Sequence, residues 1–84
     1  MKLVLAGNLV QFYDWCAENH INPHHKDTRA RYISKYQDFV DHGDGTELIL
    51  YGTYWENPLH SEFEQWEFLL GYGKQSGWKL PDGF

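Results

Sequence analysis

The sequence predicts an α/β fold: a minimal three-stranded parallel sheet, in the order 2-1-3, with flanking helices. A short apolar run, followed by a small or polar residue and a helix-start signal, occurs three times along the chain. The first and third runs are apolar throughout, which is typical of strands covered on both faces, whereas the second is polar. The chain has 84 residues, which suits a single domain over residues 1–84.

The first unit begins with the apolar run at residues 2–6, which predicts a buried strand. Gly7 permits a tight turn, and Asn8 can cap the helix that follows, with Gln11 completing the spacing of a capping box. Asn19 is expected to end this helix in a left-handed conformation. One face of the helix is expected to be apolar and to consist of Leu9, Phe12, Tyr13 and Cys16.

The second unit is less regular. Residues 30–33 form a short polar run that we interpret as a strand. Ser34 and Gln37 repeat the capping-box spacing, so a helix of barely two turns is expected, with a turn at residues 41–45 after it. The apolar face of this helix is expected to contain Tyr36, Phe39 and Val40.

The third unit opens with a second continuous apolar run, residues 47–51, which predicts another buried strand. A connector at residues 52–58 leads to a third capping-box pair, Ser61 and Glu64, and to a predicted helix. The apolar face of that helix is expected to contain Phe63, Trp66 and Leu70. Residues 78–84 are expected to be irregular. Two apolar side chains of this tail are expected to pack back on the body, Trp78 and Leu80.

Strands that alternate with helices indicate a parallel sheet with right-handed crossovers, and a polar second strand belongs at an edge. The order 2-1-3 follows, with strand one in the centre, as in half of a Rossmann or flavodoxin-like domain. An all-helical fold is the alternative, because short apolar runs do not distinguish a strand from a buried helix. Three strands leave two open sheet edges, which favours a homo-oligomer.

Composition argues against several classes of function. The formal net charge is −5, whereas nucleic-acid-binding surfaces are basic, so no nucleic-acid partner is expected. The apolar run at residues 3–6 is too short for a signal peptide or a membrane span, which favours the cytoplasm and no membrane partner. The single cysteine, Cys16, cannot form an internal disulfide and is expected to be a buried, inert thiol.

Ligands of open parallel sheets bind outside the carboxyl ends of the strands, near the point where strand order reverses. In the order 2-1-3 that point lies between strands one and three, where residues 6–8 are expected to meet the connector. The first loop places Gly7 and Asn8 at a helix N-terminus, whose free N–H groups and dipole favour a phosphate. An ordinary tight turn explains Gly7 equally well.

The connector carries two adjacent aromatic residues, Tyr54 and Trp55, where a plain linker would be polar. One of the rings is expected to face the crevice and to stack on a base or a sugar, and Glu56 to accept hydrogen bonds from ribose hydroxyls. The alternative is that Trp55 closes the end of the core and Glu56 is solvated. The predicted ligand-binding residues are Gly7, Asn8, Thr53, Tyr54, Trp55, Glu56 and Asn57.

Metal and nucleophilic chemistry have little support in the sequence. The clustered histidines lack the companion ligands of a zinc site, and the serines fit caps and loops, so no metal, cofactor or catalytic residue is predicted. Glu56 with a second carboxylate, such as Asp14 or Glu62, would suit glycosidic chemistry if the two were correctly spaced.

A cationic segment precedes the second strand and therefore begins at the opposite end of the sheet from the predicted crevice. It is a solvated loop, or it serves the site of a neighbouring subunit, or it pairs with the acidic surface of the protein. Its cationic or potentially cationic residues include His24, His25, Arg29 and Arg31.

Four blocks of sequence stand out: AGN at residues 6–8, QFYDW at 11–15, RYIS at 31–34 and YGTYWENP at 51–58. Together they resemble a group of small, mostly unannotated proteins from tailed bacteriophages, over about residues 3–60. The resemblance implies expression inside an infected bacterium. Some small phage proteins bind and hide nucleotide second messengers made by bacterial defence systems, so the resemblance also raises a counter-defence role.

We therefore expect a non-enzymatic, oligomeric protein that sequesters a small phosphorylated nucleotide. The glycine turn would bind phosphate, the connector rings the base, and Glu56 a ribose. Two alternatives stay open. One is a small nucleotide hydrolase or glycosyl-transferring enzyme that uses Glu56 or Asp14. The other is a decoy that binds a host protein through exposed aromatic anchors.

Overall fold

The computed structural model describes residues 1–81 and contains a parallel three-stranded sheet in the order β2-β1-β3. The elements in that part of the chain are β1 (Lys2–Ala6), α1 (Leu9–Glu18), β2 (Ala30–Tyr32), β3 (Glu47–Tyr51), α2 (Pro58–Ser61) and α3 (Phe63–Ser76). Two short 3₁₀ turns lie at Tyr36–Asp38 and Tyr54–Glu56. The predicted α/β fold and strand order are confirmed, and the all-helical alternative is wrong.

The central strand β1 is buried on both faces, because its successive side chains alternate between two separate clusters. Leu3 and Leu5 pack into one cluster with residues from the second half of the chain, including Leu69 of α3. Val4 and Ala6 pack into the other, against α1. The sheet is therefore a middle layer between α1 on one face and α3 on the other.

Helix α1 begins as predicted but turns a different face to the sheet. Asn8 caps it, and its Oδ1 accepts a hydrogen bond from the Gln11 N–H at 3.0 Å. The buried side chains are Phe12, Trp15 and Cys16. Leu9 and Tyr13, which were expected on the buried face, are exposed, because contact with the sheet sets the rotation of the helix.

The end of α1 differs from the expectation by one residue. His20, with φ of 57°, takes the left-handed position, whereas Asn19 has φ of −99°. The Asn19 side chain instead donates to the Trp15 carbonyl at 2.8 Å. The Ile21 N–H reaches back to the Cys16 carbonyl at 2.8 Å, which closes a Schellman-type end around His20.

The second predicted helix is only the 3₁₀ turn at Tyr36–Asp38, and the Ser34–Gln37 capping box is not formed. The Asp38 carboxylate accepts the N–H groups of Ser34 and Lys35 at 3.0 and 3.3 Å. Its other oxygen pairs with the Arg31 guanidinium at 3.3 Å. Asp38 therefore caps this turn from inside it and fastens it to β2.

The third unit contains two helices where one was expected. Asn57 caps α2, and the extended residue Glu62 separates α2 from α3, so Ser61 is the last residue of α2 and caps nothing. Phe63, expected on the buried face of α3, is 71% exposed. The helix buries Leu69 and Gly73, with Trp66 and Leu70 partly buried against the same cluster.

The segment after α3 packs on the body, as expected for Trp78 and Leu80. It is more ordered than predicted. The Lys79 N–H donates to the Thr46 carbonyl at 2.7 Å, and the Leu48 N–H donates to the Lys79 carbonyl at 2.9 Å. This parallel bridge covers the outer edge of β3 at its start. The part of the tail prediction that concerns residues 82–84 lies outside the described residues.

Two further findings concern Cys16 and the helices. Cys16 is buried, and its burial raises the pKa of the thiol, in line with the expected inert role. Within residues 1–81, no helix has both the length and the apolar character that crossing a bilayer requires.

Candidate functional site

The glycine turn after β1 and the connector after β3 meet at the carboxyl end of the sheet, as predicted. The side chain of Gln11 joins them. Its Oε1 accepts the N–H groups of Gly7 and Thr53 at 2.8 and 3.0 Å, and its Nε2 donates to the Thr53 Oγ1 at 2.8 Å. Gln11 therefore bridges two loops, instead of returning to the Asn8 N–H as a capping box would require.

Where the two loops come closest together, protein atoms leave no space between them. A Cβ added at Gly7 would overlap Thr53, and one added at Gly52 would overlap the Gln11 amide. Gly52 also has a positive φ of 61°. Because the Gly7 N–H is already donated to Gln11, its expected role as a phosphate donor is corrected. Gly7 is needed for the close approach of the two loops.

Asn57 is completely buried, and its amide holds three elements together. Its Nδ2 donates to the carbonyls of Ala6 and Ile33 at 2.7 and 2.8 Å, at the ends of β1 and β2. Its Oδ1 accepts the Leu59 N–H of α2 at 2.9 Å. No surface of Asn57 is left for a ligand, so its role in the predicted binding set is corrected to a structural one.

The two connector aromatics have different surroundings. Tyr54 is half-buried against the core and meets His60 edge-on, with 5.3 Å between ring centroids. Trp55 is 53% exposed and lies edge-on to Tyr54 at 5.4 Å. Trp55 is therefore the connector ring that is available for stacking at the carboxyl end of the sheet, and Tyr54 contacts it from the side of the core.

Glu56 is exposed, and it is the last member of a hydrogen-bonded chain that starts at Gln11. The Thr53 Oγ1 accepts from Gln11 and donates to the Glu56 Oε2 at 3.1 Å. The second Glu56 oxygen has no acceptor role within residues 1–81. The hydrogen bond from Thr53 therefore fixes the carboxylate of Glu56, the residue that follows Trp55 in the chain. Among those residues, no hydrogen bond joins Glu56 to Asp14 or Glu62.

The first turn of α1 contains two backbone N–H groups without an acceptor in the described part of the chain. The Asn8 side chain takes the Gln11 N–H, whereas the N–H groups of Leu9 and Val10 have no acceptor within residues 1–81. The two residues that carry these N–H groups, Leu9 and Val10, are exposed.

Tyr51, at the end of β3, is held by α1. Its hydroxyl donates to the Glu18 Oε2 at 2.7 Å, and this hydrogen bond raises the pKa of the phenol. The phenol is therefore a hydrogen-bond donor at neutral pH and a poor proton source.

The structure also contains a groove that the sequence did not predict. It has a volume of about 380 Å³ and opens between the turn at Tyr36–Asp38 and helix α3. Its lining residues come from the turn and the residues on either side of it, from α2 and from α3: Lys35, Tyr36, Phe39, Leu59, Glu64, Gln65 and Phe68. We call it the aromatic groove. Tyr36 and Phe68 are distant in sequence, so no local pattern indicated it.

The cationic segment lies at the other end of the sheet, as its sequence position indicated. Residues 26–29 and Met1 line a polar cavity of about 370 Å³ there. Arg31 pairs with Asp38 and takes no part in that cavity. Among residues 1–81, no group of three or more His, Cys, Asp or Glu side chains is placed to hold a metal ion.

Comparison with known proteins gives no match. No family model matches the chain, and the searches of curated proteins and of solved structures each return no significant similarity.

Proposed function

We propose that this chain is a non-enzymatic protein that binds and sequesters a small phosphorylated nucleotide in the bacterial cytoplasm. The site is the rim formed by the first turn of α1 and the connector residues Thr53 to Glu56. The observation that carries the proposal is the half-exposed Trp55 ring, which lies on the connector that Gln11 ties to the start of α1, where two N–H groups have no acceptor within residues 1–81.

The path of the chain sets an upper limit on the distance between the first turn of α1 and Trp55. Gln11 accepts the N–H groups of both Gly7 and Thr53, which holds these two residues close together. Leu9 lies two residues after Gly7, and Trp55 lies two residues after Thr53. At 3.8 Å per residue, the two binding elements lie within about 20 Å of each other. A phosphate on the helix N-terminus and a base on the indole would bring the sugar close to Glu56, whose free oxygen can accept a ribose hydroxyl.

The local chemistry supports binding more than turnover. The Cys16 thiol is buried, and the Tyr51 phenol has a raised pKa. Glu56 bonds to Thr53 and is not coupled to a second carboxylate by any contact within residues 1–81. In a phage-infected bacterium, sequestration alone would suffice to remove a signal produced by a defence system.

Calorimetry with Trp55→Ala tests the site. We expect nucleoside monophosphates or cyclic dinucleotides to bind the natural protein. Loss of one stacking contact, worth about 1–3 kcal/mol, should weaken binding by roughly 5- to 150-fold. Phe63→Ala is the matched control, because Phe63 is a still more exposed aromatic on another element. Equal affinity in the natural protein and Trp55→Ala would remove Trp55 from the site.

The fate of the bound nucleotide separates binding from catalysis. The protein is incubated with the nucleotide and denatured, and the released molecules are identified by mass spectrometry. Recovery of the intact nucleotide supports sequestration. Recovery of fragments would establish the hydrolase or glycosyl-transferring alternative and would overturn the proposal.

A further inference from the structure

We propose that the aromatic groove binds a second copy of this chain in a two-fold dimer. This inference does not depend on the proposed nucleotide site, since the groove and the rim have no residue in common. It rests on the apolar surface of the groove and on the distribution of charge across it.

The groove presents a continuous aromatic surface. Tyr36 and Phe68 are 51% and 48% exposed, and their ring centroids lie 5.2 Å apart, so the two rings are in contact and form one surface. Phe39 packs against both rings from below, at 5.7 and 6.0 Å. Aromatic side chains in contiguous exposed patches are typical of the centre of protein interfaces.

The groove has one positive and one negative side chain at its edges, so its charge pattern is complementary to that of a second copy. Lys35 lies next to Tyr36 on the side of the turn, and Glu64 lies one helical turn before Phe68 on the side of α3. Neither side chain has a salt bridge within residues 1–81. In a two-fold interface each contact occurs twice, so a rotation about the groove places Lys35 of each copy against Glu64 of the other.

The two features have different roles. Pairs of exposed charges add little affinity, so burial of the Tyr36 and Phe68 side chains would supply most of the binding free energy. The paired charges would fix the orientation, because a rotated arrangement places like charges together. This distribution selects a second copy over an unrelated partner, which has no reason to repeat the same pattern in reverse.

Sedimentation equilibrium of the natural chain and of charge-reversed variants tests the proposal. We expect the apparent mass to rise with concentration from 10.0 kDa to twice that value. Lys35→Glu and Glu64→Lys each place like charges together at two points, so each should raise the dissociation constant by about tenfold or more. The double variant restores the complementary pattern and should return the dissociation constant to within about threefold of the natural value.

Matched controls use charges that do not line the groove. Glu67→Lys and Lys74→Glu make the same charge changes on exposed positions of α3 and should leave the dimer unchanged. Circular dichroism and thermal unfolding confirm that every variant folds. A natural chain that stays monomeric at millimolar concentration would overturn the proposal. So would a dimer insensitive to both reversals, or one that the double variant fails to restore.

Discussion

Two side-chain amides, the buried Asn57 and the partly buried Gln11, organise the carboxyl end of the sheet. Asn57 satisfies three backbone groups that belong to β1, the end of β2 and α2, and Gln11 satisfies two that belong to the loops after β1 and β3. Backbone groups left without partners in the interior are costly, so such side chains contribute to stability through the groups they satisfy. A polar residue in a loop is therefore as well suited to this structural role as to contact with a ligand.

Asn57→Ala is expected to be strongly destabilising. It leaves two carbonyls and one N–H without their partner, and each unsatisfied buried group costs about 1–3 kcal/mol. We expect a loss of roughly 3 kcal/mol or more in the free energy of unfolding, measured by urea denaturation. Asn8→Ala is the control, because it removes one exposed cap, worth about 0.5–2 kcal/mol. A loss no larger than that of the control would contradict the structural role of Asn57.

At the level of elements, the strand-to-helix turns determine which chain segments reach the rim. The turn after β3 uses Gly52 at φ 61°, and the amide of Gln11 lies where a side chain would project. This turn therefore combines a backbone conformation and a packing contact that both exclude a Cβ.

Gly52→Ala separates these two requirements when compared with Gly45→Ala. Gly45 also has a positive φ, 86°, but no atom lies within 4 Å of its Cβ position. We expect Gly45→Ala to cost about 1–2 kcal/mol, from the backbone conformation alone. Gly52→Ala should cost more, since Gln11 must move and its bonds to Gly7 and Thr53 weaken. Thermal unfolding measures both, and equal losses would argue against the packing contact.

The sequence predicts the elements whose signals are local. Residues 2–6 and 47–51 are continuous apolar runs, and Asn8 is a helix cap, so the sheet order and the meeting of the two loops follow from them. The capping box at Ser34 fails because Asp38 accepts the Ser34 and Lys35 N–H groups instead. The one at Ser61 fails because Ser61 ends α2 and Glu62 occupies the N-cap position of α3.

Features that depend on packing between distant segments could not be predicted. The rotation of α1 that buries Trp15 and exposes Tyr13 is set by the sheet. The occupation of the Gly7 N–H depends on Gln11 being drawn towards Thr53, 42 residues away in the chain. The aromatic groove likewise forms only when the turn at Tyr36–Asp38 meets α3.

Across the whole molecule, the segment after α3 closes the cluster on one face of the sheet. Gly73 lacks a side chain where the Trp78 ring lies, and the Trp78 Nε1 donates to the His42 carbonyl at 2.9 Å. The His42 Nε2 is buried without a hydrogen-bond partner within residues 1–81. This burial, with the nearby Arg31, lowers the pKa of the imidazole, and Asp41 opposes the change.

Stability is therefore expected to fall as pH falls from 7.5 to 5. The unfolded chain binds a proton at His42 near its ordinary pKa of about 6.5, before the folded chain does, so protonation favours unfolding. His42→Gln stays neutral and should lose less thermal stability over this range than the natural chain. His24→Gln, at an exposed position, is the control. Identical pH profiles for the natural chain and His42→Gln would refute this role.

The two clusters on either face of β1 each contain one buried indole, Trp15 in the α1 layer and Trp78 in the α3 layer. Indole fluorescence responds to its immediate surroundings, so the chain carries a separate optical reporter in each layer. Variants that keep Trp15 alone or Trp78 alone among the four tryptophans would show whether the two layers unfold together or in turn. A variant that keeps Trp55 alone would report on the rim, because a ligand stacked on this exposed indole would change its fluorescence.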